Sequence, residues 1–139
     1  MATITKTSIK VGTLEWFYRE AQPVGWDHPK TAILLHGLPS QSFTWTGLLP
    51  SLAENGIRAI APDWIGFGNS SKPEPQDFAY TPDALILAFA EMMDALSLDR
   101  FSLIVQGFLG TVGIQYAIRY PNRVEKLVIL NAPLTTNAK

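Results

Sequence analysis

Four short apolar runs constrain this chain more than any other feature: TAILLHG (31–37), IRAIAPD (57–63), RFSLIVQ (100–106) and VEKLVIL (124–130). The first is a continuous apolar run without the polar alternation of a half-solvated strand, as expected of a strand covered on both faces. The segments between the runs read as helices. A helix is expected over about Ser42–Glu54, although Pro50 removes a hydrogen bond from its interior, and Asn55-Gly56 supplies a stop. Thr81-Pro82-Asp83 starts a second helix with a capping hydroxyl, a proline in the first turn and an acid against the dipole; it runs to about Leu96. Phe108–Tyr120 reads as a third, stopped by Pro121. Two β-rich runs, Thr5–Val11 and Leu14–Glu20, open the chain around a Gly12-Thr13 turn.

Strands that alternate with helices need crossover connections. The expected fold class is therefore α/β: a mostly parallel sheet of about six strands with helices on both faces. At 139 residues the chain suits a single domain. Without cysteine it has neither a disulfide framework nor a thiolate nucleophile. A net charge of −1 and the lack of a basic run argue against electrostatic nucleic-acid binding. The longest apolar run, Ala84–Ala90, is too short to cross a bilayer, and the first ten residues carry no apolar leader. A cytoplasmic location, with no membrane partner, is the expectation.

In open α/β sheets ligands sit beyond the C-terminal ends of the strands. Three segments leave that edge: LLHGLPSQS, PDWIGFGNSSKP and VQGFLG. Within them stand His36-Gly37-Leu38-Pro39 and an Asp-x-x-Gly-x-Gly-x-Ser series, Asp63, Gly66, Gly68 and Ser70. In this order and spacing the segments resemble the α/β-hydrolase family along essentially the whole chain. The likeness is greatest to the branch holding haloalkane dehalogenases, epoxide hydrolases and related ester hydrolases. YPNRVEKLVILNAP, after the third helix, has the same likeness.

The resemblance implies a sharp strand-to-helix turn, the nucleophile elbow, whose tip takes a positive φ and lifts a reactive side chain above the sheet. VQGFLG puts Gly107 at that tip, where the family carries Asp or Ser. Glycine tolerates the turn but has no nucleophile. Leu109 stands where the family usually has a glycine. Oxyanion donors implied by the resemblance are the backbone N–H groups of Leu38 and Phe108, each typically contributing on the order of 3 kcal/mol.

No other hydroxyl replaces the nucleophile: Ser102 lies within a strand, Thr111 a turn beyond the tip, and Ser70 and Ser71 order a loop. The acid position some dehalogenases use after the sixth strand falls near Asn131, an amide. His28 reads as a solvated loop residue and His36 as a hydrogen-bonded brace. The expectation is a hydrolase-family chain without orthodox catalysis of its own, needing neither cofactor nor metal. The alternative is a binder of a small apolar or carbonyl-bearing ligand, or an interaction protein completed by another chain. Trp64 and Phe67 are expected to line its pocket, with Phe108 either there or in the core; Phe43 and Trp45 read as core. With the chain 1–139 ending just after the sixth strand, VEKLVIL is expected to expose an apolar edge. Self-association or a strand-donating partner is the predicted result.

Overall fold

The computed structural model describes residues 2–133; Met1 and the closing stretch 134–139 lie outside it. Six strands form one sheet in the order β1-β2-β4-β3-β5-β6. They are β1 (Ile4–Val11), β2 (Leu14–Ala21), β3 (Lys30–Leu35), β4 (Ile57–Pro62), β5 (Phe101–Gln106) and β6 (Val124–Leu130). β1 and β2 form an antiparallel hairpin whose register, Val11 opposite Leu14, leaves Gly12-Thr13 as a two-residue loop. β2 pairs antiparallel with β4, and the β4-β3-β5-β6 pairings are parallel. The α/β class expected from the apolar runs is the class observed.

Helices α1 (Leu48–Glu54), α2 (Pro82–Ala95) and α3 (Gly110–Arg119) divide between the two faces. Under α1 the sheet presents small residues, Ala21, Ala32, Ala59 and Ala61 with Leu34, which meet Trp45, Leu49 and Ala53. Alanine there lets a helix sit close to the backbone of the strands. The other face is bulkier: Trp16, Ile33, Leu35, Ile60, Leu103 and Val105 pack against the buried sides of α2 and α3. Phe89 of α2 is the hinge of an aromatic cluster, with ring centroids 4.9 Å from Tyr116 and 5.7 Å from Trp64.

Two helix boundaries differ from expectation. The Ser42–Glu54 helix is two pieces, a 3₁₀ turn at Ser42–Trp45 and then α1 from Leu48. Pro50 becomes the third residue of α1, where a backbone N–H has no intrahelical partner to lose. The third helix starts at Gly110 rather than Phe108, because Gly107–Leu109 is spent on the turn that leaves β5. By contrast α2 starts as its sequence dictates, with the Thr81 hydroxyl accepting the Ala84 N–H at 3.2 Å and Pro82 at the first helical position.

Candidate functional site

Three loops converge at the C-terminal ends of β3, β4 and β5. The loop after β3 carries His36–Pro39, with a cis peptide bond between Leu38 and Pro39. The loop after β4 carries Asp63–Ser70, and the turn after β5 carries Gly107.

Asp63 organises the first two loops. It is wholly buried, and its carboxylate is consumed by backbone: Oδ1 accepts the Ser42 N–H at 2.6 Å and Oδ2 the Asn69 N–H at 2.9 Å. A carboxylate that receives backbone donors on both oxygens is a structural anion. Gly68 explains its own identity, since φ is +53° and a Cβ there would collide with the Asp63 carboxylate. Ser70 completes the loop, its hydroxyl donating to the Asp63 carbonyl at 2.6 Å and accepting the Phe17 N–H at 2.9 Å. Ser42 is held in turn by Arg19, whose Nε donates to its Oγ at 3.1 Å.

His36 braces the loops from the other side. It is also wholly buried, lying between the Trp64 N–H and the Gly37 carbonyl. Burial pushes its imidazole below the ordinary histidine value, against smaller opposing effects of the Gly37 carbonyl and the Asp63 charge. His36 is thus a brace, as expected, whereas His28 is exposed in its loop.

Gly107 stands at the tip with φ +66°, the left-handed conformation that a nucleophile elbow requires. A Cβ at this position would lie 3.2 Å from Gly37 Cα and 3.7 Å from the Leu38 nitrogen, with no other contact within 4 Å. A nucleophile's Cβ would thus meet only the backbone of the loop after β3, and Gly37 would have to give by a few tenths of an ångström to admit it. The opposing wall is tight, since a Cβ on Gly37 would lie 3.0 Å from the Gln106 carbonyl oxygen. Leu109 does not spoil the turn. It is buried, and the close approach of helix to strand is provided instead by Gly113, where a Cβ would come within 2.5 Å of Val105 Cγ1.

The pocket is not where the aromatic residues of the Asp63–Ser70 loop predicted it. Trp64 is only 1% exposed and packs on Trp16 and Phe89 as core. Phe67 is half-buried, edge-on to His36 at 5.5 Å. An apolar groove of about 240 Å³ lies instead between the N-terminal ends of α2 and α3, lined by Tyr80, Leu85, Phe108, Leu109, Val112 and Gln115. Phe108, 62% exposed, links the elbow to this groove. The sequence reading missed Tyr80 and Leu85; the signal was their position around the Thr81 cap, which fixes where α2 begins. Trp45 is core as read, but Phe43 is not: 61% exposed, it covers the Arg19 guanidinium, whose carbon lies 5.5 Å from the ring centre. Of the hydroxyls, Thr111 donates to the Pro133 carbonyl at 3.3 Å, a bond within the scaffold.

Comparison with known proteins agrees with this geometry. The family model described as the alpha/beta hydrolase fold matches residues 31–139. An uncharacterized hydrolase of Saccharomyces cerevisiae is 34% identical over 131 residues, covering 94% of this chain and 43% of that protein. A haloalkane dehalogenase of Mycolicibacterium paratuberculosis is 36% identical over 107 residues, 75% of this chain and 34% of its own length. Among solved structures, epoxide hydrolase A of Mycobacterium thermoresistibile superposes with a TM-score of 0.80 at 26% identity, over 91% of this chain and 39% of that one. The chain thus spans well under half the length of each of these relatives. With the loops, the sheet order and the sequence match in agreement, the chain belongs to the alpha/beta hydrolase fold family.

Proposed function

We propose that this chain supplies a hydrolase-type elbow that binds a small carbonyl-bearing, largely apolar ligand without nucleophilic attack from residue 107. The observation that carries the reading is Gly107 itself, at φ +66° with no side chain and with the Gly37 backbone close against it. In this reading the N–H groups of Leu38 and Phe108 hold the ligand oxygen, and the groove beside Phe108 takes its apolar part. Preorganised donors of this kind bind a carbonyl oxygen whether or not chemistry follows. A neutral ligand suits the groove, whose lining carries no charged residue.

The test is a pair of assays on the purified chain. Turnover of p-nitrophenyl acetate and butyrate at no more than the buffer rate, with saturable acetophenone binding that shifts the Leu38 and Phe108 amide resonances, is the expected result. Ester turnover that disappears in Thr111→Val or Ser102→Ala would overturn it, because another hydroxyl would then be the nucleophile.

A second reading is favoured by β6, whose Val128, Ile129 and Leu130 are all exposed among the described residues. Another strand, from further sequence of this protein, a second copy or a different chain, would cover them. Sizing chromatography separates these cases from a free edge.

A further inference from the structure

His36 occupies a position in which one proton changes the hydrogen-bond pattern of the whole strand-end edge. Its Nε2 accepts the Trp64 backbone N–H at 3.0 Å, and its Nδ1 lies 2.8 Å from the Gly37 carbonyl oxygen. A backbone N–H only donates and a carbonyl only accepts. The ring is therefore the neutral tautomer with its hydrogen on Nδ1. It ties the segment that leaves β4 to the residue that leaves β3.

Gly37 is in turn wedged against the elbow. A Cβ there would lie 3.0 Å from the Gln106 oxygen and 3.3 Å from Gly107 Cα. The position of the Leu38 N–H over the tip thus depends on Gly37, and Gly37 is fastened by His36. A proton on Nε2 would turn an acceptor into a donor facing another donor. The bond to Trp64 would be lost: Nδ1–H would still meet the Gly37 carbonyl, but the Trp64 N–H and the new Nε2–H would face each other, buried and without an acceptor.

The groups facing the ring do not relieve this. Asp63, at the end of β4, is the charged residue that acts on it and favours the cation, but its oxygens bond the Ser42 and Asn69 N–H groups and not the ring. Phe67 presents a ring edge, and Gln106 and Gly107 at the end of β5, which pack against Gly37, do not titrate. The remaining response is for the ring to swing away from Trp64, which also draws Nδ1–H off the Gly37 carbonyl.

We propose that His36 is an acid-released latch: neutral, it clamps Trp64 to Gly37 and keeps the Leu38 N–H over the elbow; protonated, it lets the 37–41 loop move off Gly107. The latch rests on the geometry of the loops and needs no ligand, so it stands or falls apart from the binding reading above.

The sequence is well suited to the test, with only two histidines, His28 and His36. The experiment is a nitrogen-15 NMR titration of the 139-residue chain from pH 8 to pH 4.5, with His28→Gln used to assign the two imidazoles. The expected result is a single Nδ1–H tautomer for His36 at pH 8 and protonation only below the ordinary histidine value. The Trp64, Leu38 and Gly107 amides then shift or broaden with the same midpoint. In His36→Gln that shared midpoint is lost; if this variant does not fold, the agreement of midpoints in the unmodified chain decides. Protonation of His36 that leaves the Leu38 and Gly107 amides in place overturns the latch. So does cooperative unfolding of the whole chain before the ring titrates, since protonation would then be a global event.

Discussion

At the scale of single residues, the site is built from buried polar groups whose hydrogen bonds are committed to backbone. Asp63, Ser70 and His36 are each less than a tenth exposed, and each bridges two segments. His36 also makes stability depend on pH. Its folded-state pKa lies below the unfolded value of about 6.5 because burial disfavours the cation. As pH falls through about 6.5, the unfolded chain takes up a proton that the folded chain refuses, so the folded state loses ground. The contribution is undiminished above that pH, falls on acidification, and stops changing below the folded-state pKa. Urea midpoints measured at pH 8 and pH 5 are therefore expected to drop more in the unmodified chain than in His36→Gln. Individual residues were legible in the sequence where they belonged to a spaced motif. Asp63, Gly68 and Ser70 could be read together with Gly66 because they close on one residue: Gly68 leaves room for the Asp63 carboxylate and Ser70 bonds the Asp63 carbonyl. Trp64 could not: nothing in the string says whether an aromatic ring beside such a motif points toward the open edge or into the core.

At the scale of elements, local chemistry decided boundaries wherever it was unambiguous. The start of α2 was readable because a capping hydroxyl, a first-turn proline and an acid coincide at Thr81, Pro82 and Asp83. The Thr81→Ala variant is expected to lose about 1 kcal/mol, read as a lower midpoint in urea with an unchanged slope. The segment from Ser42 to Glu54 was less readable, because Pro50 is equally compatible with a kinked long helix and with a short helix beginning two residues earlier. The Asp63 carboxylate settles the matter by holding the Ser42 N–H, which fixes a tight turn ahead of α1. That contact joins residues 21 apart in sequence, beyond the reach of any local pattern. The elbow repeats the lesson. Leu109 argued against a close helix, yet Gly113 accommodates Val105 one helical turn further on.

At the scale of the whole molecule, the sheet order follows from crossover connections between the parallel strands, and the order puts β2, β4, β3 and β5 inside, the last three as its parallel centre. Their amides bond on both sides and lie under helices. β1 and β6 are bonded along one edge each. Hydrogen exchange is accordingly expected to be slowest for β3, β4 and β5 and much faster for β6, with protection in the central strands approaching the global unfolding free energy. Equal protection in β6 would mean that a further strand covers it in solution. The overall architecture was readable from the apolar runs because buried parallel strands have so few alternatives. The groove beside Phe108 was not, because it is the product of two helix ends meeting.

The shared carboxylate of Asp63 has a practical consequence for anyone who recombines such proteins. The loop after β3 and the loop after β4 answer to one anchor, through the Ser42 and Asn69 amides, while Phe17 of β2 is hooked to the same corner through Ser70. Neither loop is a separable module. A chimera that imports one of them from a relative must import its counterpart too, or inherit a mismatched joint at the rim of the elbow.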